Sequence, residues 1–184
     1  MRVELLERTG EQWGIVETGS MVPMIDPGDR VLVEAICGIQ ARIGDIAVFQ
    51  RQNELVLHRI IGRTRQPADG FVEKGDGNLV AGSVSLDAVI GRVREVAKPR
   101  SRLRPTRGWQ RVVQVAIAWL EWLATRLQGG QLTNTRSAQS IPRGLVSLCC
   151  KKGSRWIHRL ARTLTRTYIS LCVWPRPGAG SEGA

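Results

Sequence analysis

Ser20 lies in Thr18-Gly19-Ser20-Met21-Val22-Pro23, with Pro27-Gly28-Asp29 close behind. A serine hydroxyl becomes a nucleophile only when a neighbouring base removes its proton. The chain has two histidines. His58 sits in Leu55–Ile61, a β-branched, apolar run. His158 sits between Arg155 and Arg159, which would oppose a charged imidazolium. His58 is therefore the expected base. Gly75-Asp76 follows in a turn and offers an acid to orient it. Ser20, His58 and Asp76 thus form a candidate nucleophile, base and acid.

Four cysteines, Cys37, Cys149, Cys150 and Cys172, include no Cys-x-x-Cys pair. No metal site is expected, and nothing suggests a cofactor. Cys149-Cys150 is open to two readings, lipidation or burial.

Charge divides the chain. Residues 1–96 hold 11 Lys+Arg against 14 Asp+Glu, whereas residues 97–184 hold 16 against 2. The first part reads as short strands separated by Gly and Pro turns: Trp13–Glu17, Val31–Val33, Asp45–Phe49, Leu55–Ile61, Phe71-Val72 and Val89–Val96. This predicts a mainly β, antiparallel, coiled and partly barrel-like domain over 1–97. Residues 98–108, basic with Pro99 and Pro105, predict a linker. Residues 109–174 predict a basic amphipathic helical region, and 175–184 a disordered Gly/Pro tail. Val112, Val113, Ala116, Trp119, Leu120, Leu123 and Leu127 fall at helical spacing. So do Trp156, Leu160, Leu164 and Tyr168, beside a row of Arg155, Arg159, Arg162 and Arg166. Tryptophan beside arginine suits an anionic membrane surface. The competing reading is a helical hairpin packed on the β domain. Nucleic acid is not an expected partner, and no apolar run is long enough for a transmembrane helix.

The motifs together resemble the type I signal peptidase superfamily. Residues 18–29, Thr-Gly-Ser-Met-Val-Pro-Met-Ile-Asp-Pro-Gly-Asp, are similar to its nucleophile box. Gly44-Asp45-Ile46-Ala47-Val48-Phe49, Leu57-His58-Arg59-Ile60, Lys74-Gly75-Asp76-Gly77-Asn78 and Gly91-Arg92-Val93 resemble the boxes that follow, in order. A histidine in the base box resembles the Ser-His branch, found in the endoplasmic reticulum, archaea and sporulating bacteria. The resemblance implies a serine endopeptidase that removes leader or signal peptides after small residues, bound by strand addition. It implies Ser20 as nucleophile, His58 as base and Asp76 as its partner. The Ser20 N–H and the Thr18 hydroxyl become candidate oxyanion donors. Pro23, Gly28, Asp29, Gly44, Asp45 and Gly75 are read as structural, with the aspartates stabilising turns. The 19 residues before Ser20 predict no membrane anchor, unlike most of the family. Either the C-terminal stretches hold the protein to a membrane, or it cleaves leaders in the cytoplasm. The alternatives are a self-cleaving regulator, or a catalytically idle binding protein of the same fold, with a basic tail for membrane or nucleic acid.

Overall fold

The computed structural model describes residues 3–52, 54–64, 69–127 and 146–172, with side chains from Gly153 onward in the last segment. The expected disordered tail, 175–184, and the side chains of Cys149 and Cys150 lie outside the described residues.

A short helix, α1 (Val3–Thr9), precedes the strands β1 (Glu11–Ile15), β2 (Arg30–Ala35), β3 (Ile46–Arg51), β4 (Glu54–Thr64), β5 (Gly70–Lys74), β6 (Gly82–Ser85), β7 (Val89–Lys98) and β8 (Ser101–Leu103). They form one eight-stranded sheet in the order β1-β2-β7-β3-β4-β5-β6, with β8 paired to β7. Every pairing is antiparallel. The strand path is open, ending at β1 and β6, so the sheet does not close into a barrel. Within the expected linker, Ser101–Leu103 turn back as β8 and bury Leu103.

Both sheet faces are covered at the centre, which is why β3 reads as an unbroken apolar run, Ile46-Ala47-Val48-Phe49. Ile46 and Val48 enter one core with Val33, Val93, Met21 and Met24. Ala47 and Phe49 enter the other with Ile60, Phe71 and Val84. Strand β4 alternates the same way: Leu55 and Leu57 join the first core, Val56 and Ile60 the second. Consecutive residues His58 and Arg59 therefore point to opposite faces.

Two long helices, α2 (Gly108–Leu127) and α3 (Val146–Cys172), pack on each other and against the sheet. Gly44, at φ +90°, lets α2 approach closely, because a Cβ there would stand 3.1 Å from the Val115 backbone. The hairpin is antiparallel: Tyr168 near the end of α3 donates to Gln110 at the start of α2, and His158 meets Glu121. The expected helices are present, but the burial of α2 differs from its apolar stripe. Gln114, Ile117, Ala118, Glu121, Ala124 and Thr125 face inward. Val112 and Trp119 are exposed. The reason is the sheet beneath, whose covered face carries the buried cations Arg59 and Lys74. Polar partners on the helix satisfy these better than apolar ones would.

Candidate active site

The 18–29 segment leaves β1 and turns back to β2. Its apolar residues Met21, Met24 and Ile25 are buried in the first core, which fixes the turn that carries Ser20. Asp29 accepts from the Asp26 N–H at 2.9 Å and from Lys98 Nζ at 2.5 Å. Gly28 sits at φ +91° beside it, and the Val22–Pro23 peptide is cis. Asp45 closes a similar turn, accepting from the Arg42 N–H at 2.8 Å and from Arg111 at 2.6 Å, with Gly44 before it. Thr18 is exposed and Ser20 is half-buried.

Gly75 and Gly77 bring the serine loop onto the turn after β5. The Gly77 N–H donates to the Ser20 carbonyl at 2.8 Å. A Cβ on Gly75 would collide with that same carbonyl oxygen and stand 3.0 Å from His58 Nε2. The Ser20 carbonyl and the imidazole thus flank a residue that only glycine fits. Asn78 Nδ2 also faces His58 Nε2, at 3.5 Å.

The other imidazole nitrogen identifies the acid. His58 Nδ1 lies 2.5 Å from Glu73 Oε2, and Arg51 donates to the other Glu73 oxygen at 3.1 Å. Glu73 is only 2 % exposed. It shares a sheet face with His58 because Glu73 pairs with Ile60, two residues along β4. Gly82 opposite leaves room for the carboxylate; a Cβ there would overlap Oε1. Phe49 packs edge-on to the His58 ring.

Asp76 is placed elsewhere. Both its oxygens accept from Arg59, at 2.8 and 2.7 Å, on the helix-covered side of the sheet. Arg59 is fully buried and also donates to Gln114 of α2 at 2.5 Å. The expected partner of His58 therefore holds the neighbouring arginine, and Glu73 occupies the position beside the base. The alternation of β4 accounts for this, since Arg59 must find its counter-ion on the face opposite His58. The place of Glu73 in the chain, directly after the predicted strand Phe71-Val72 and two residues before Gly75, was visible in the sequence, but its facing was not.

A second buried polar group backs the same turn. Lys74, the cross-strand partner of Arg59, donates to Glu121 and stands 3.1 Å from His158 Nδ1. His158 Nδ1 lies 2.7 Å from Glu121 Oε2. Burial pushes the Lys74 ammonium below its ordinary pKa, against the attraction of Glu121. Burial alone would raise the Glu121 carboxyl, but hydrogen bonding to His158 and the Lys74 charge hold it below the ordinary range. Arg162 of α3 donates to the Gly77 carbonyl at 2.9 Å. Among the described residues no group of histidine, cysteine or carboxylate side chains could hold a metal ion.

The chain matches no family model, and a search of curated proteins finds no match.

Proposed function

We propose that the protein is a serine endopeptidase similar to the Ser-His signal peptidases, cleaving leader or signal peptides after small residues. The observation that carries this reading is His58, held at Nδ1 by a buried carboxylate and facing the Ser20 loop at Nε2 across Gly75. With Glu73 accepting, the proton resides on Nδ1, and Nε2 is left as the basic nitrogen. Nε2 takes the Ser20 proton as Oγ attacks the scissile carbonyl, then returns it to the departing amine. Glu73 fixes the tautomer and stabilises the imidazolium between the two transfers. It takes the role that the sequence pattern predicts for Asp76, whose carboxylate instead neutralises Arg59.

The Ser20 N–H has no acceptor among the described residues and is the first oxyanion donor; the Thr18 hydroxyl is the second candidate. Val22, Leu79 and Val80, all exposed, provide apolar surface on the segments that carry Ser20 and the β5 turn. An extended leader lying there would be read by small side chains and by strand pairing.

The test is cleavage of a soluble leader peptide with small residues before the scissile bond, together with labelling by a serine-directed fluorophosphonate. Wild-type chain should cleave and label. Ser20→Ala should do neither, and His58→Ala should lose both while keeping its circular-dichroism spectrum. Cleavage retained by folded Ser20→Ala or His58→Ala refutes the reading.

A further inference from the structure

The inward faces of the α2–α3 hairpin are mixed: beside Ile117, Ala118, Ala124, Ala161 and Tyr168 they bury the polar residues Gln114, Glu121, Thr125, Ser154, His158 and Thr165. Its outward faces carry large apolar side chains. Trp109, Val112 and Trp119 lie on one stripe of α2, at 52 %, 69 % and 63 % exposure. Trp156 and Leu160 lie one turn apart on α3, at 65 % and 57 %. Exposed tryptophans repeated at helical spacing are not the scatter of single apolar residues found on an ordinary surface.

Charge on the same helices is of one sign. The only carboxylate in α2 or α3 is Glu121, and it is turned inward onto Lys74 and His158. Arg155, Arg159, Arg162 and Arg166 run along the flank of α3 between its buried and its apolar sides, and all four are exposed. Arg159 lies over the Trp156 ring and Arg126 over Trp122. No helix among the described residues is long and apolar enough to cross a membrane.

We infer that the outer face of the α2–α3 hairpin is a docking surface for an anionic lipid bilayer. Indole rings and Leu160 enter the headgroup–acyl boundary, and Arg155, Arg159 and Arg166 meet lipid phosphates, while Arg162 stays on the Gly77 carbonyl. Apolar depth separates this from a nucleic-acid surface, where arginines alone would suffice. The complete absence of outward carboxylates separates it from an interface with a second copy, which would set two strongly cationic faces together. The inference does not depend on Ser20 being a nucleophile.

The test is flotation of the full chain with vesicles of phosphatidylcholine alone or with phosphatidylglycerol added, followed by tryptophan emission. Flotation and a blue shift are expected only with the anionic vesicles. Arg159→Gln should lower partitioning by about fivefold. Trp119→Ser should lower it by about tenfold or more. Both variants should keep wild-type cleavage of a soluble leader peptide, so loss of docking and loss of the peptidase reading are separate results. Equal binding to both vesicle types, binding to neither, or concentration-dependent dimerisation abolished by Trp119→Ser in place of flotation overturns the proposal.

Discussion

Replacing Glu73 by glutamine changes one atom and should remove most of the catalytic rate. Glu73 Oε1 accepts from Arg51 and Oε2 faces His58 Nδ1. In the glutamine variant the amide oxygen stays with Arg51, because two donors cannot face each other, and the NH2 group is turned to Nδ1. Nδ1 then accepts, the imidazole proton moves to Nε2, and Nε2 can no longer take the Ser20 proton. Reversing the tautomer in a serine triad lowers kcat by about 10⁴-fold, equivalent to about 5.4 kcal/mol of barrier. KM for the leader peptide should change little, since Glu73 is buried. The same geometry predicts a partial rescue. Arg51→Ala in the glutamine background releases the amide to rotate and offer its oxygen to Nδ1, and kcat should recover by at least tenfold. Alone, Arg51→Ala should have a small effect, because that side chain is 51 % exposed and such pairs contribute about 1 kcal/mol or less. The assay is steady-state cleavage of a soluble leader peptide, with burst titration of active sites. A Glu73→Gln enzyme within tenfold of wild-type kcat refutes the reasoning, as does a double variant no faster than the single.

Three further outcomes follow from the same region. Gly75→Ala places a methyl group against the Ser20 carbonyl and 3.0 Å from His58 Nε2; leader cleavage should fall at least a hundredfold, measured on protein whose circular dichroism is unchanged. Asp76→Asn leaves the buried Arg59 guanidinium without its counter-ion. Thermal unfolding should show a loss of about 3–5 kcal/mol, while kcat per folded molecule stays within a few-fold of wild type. Glu121 titrates lower in the folded chain than its ordinary 4.5. The unfolded chain therefore binds the proton first as pH falls, so the stabilisation is complete above about 4.5 and is lost as pH falls through the lower folded value. Urea unfolding from pH 7 to pH 3 should show this loss in the wild type, and a shallower one in Glu121→Gln from a lower starting stability.

The order of the strands was legible because turn residues punctuate them: Gly28-Asp29 before β2, Gly44-Asp45 before β3, Gly70 opening β5. Strands β6 and β8 were not, since Gly82–Ser85 has one buried apolar residue and Ser101–Leu103 sits among arginines and prolines. Helix α1 was hidden by its charges, with Leu6 its only buried side chain. At the site, Ser20, His58 and the Gly75 turn were readable as a constellation, but the acid was not. Choosing between Glu73 and Asp76 requires knowing which face each occupies. A one-residue change in where β5 meets its turn exchanges the two. The register Arg59↔Lys74 puts Glu73 with His58 and leaves Asp76 to reach Arg59 beyond the strand end.

The same alternation explains why the helices bury polar residues. A strand that turns His58 to one face must turn Arg59 to the other, and the cross-strand neighbour of Arg59 is another cation, Lys74. Two buried cations on one face need several acceptors, and the β domain gives Arg59 the Asp76 carboxylate and the Gly44 carbonyl. Gln114 and Glu121 of α2 supply the rest, with His158 of α3 beside them. A hydrophobic stripe gives the period of such a helix, yet it cannot give the facing, because the stripe points inward only when the surface beneath is apolar. Here the polar requirement beneath turns the stripe outward. The residues that steady the Gly75–Gly77 turn and the residues that face solvent as tryptophan and arginine are therefore two sides of one hairpin. Removing the hairpin should cost the site its support as well as the docking face.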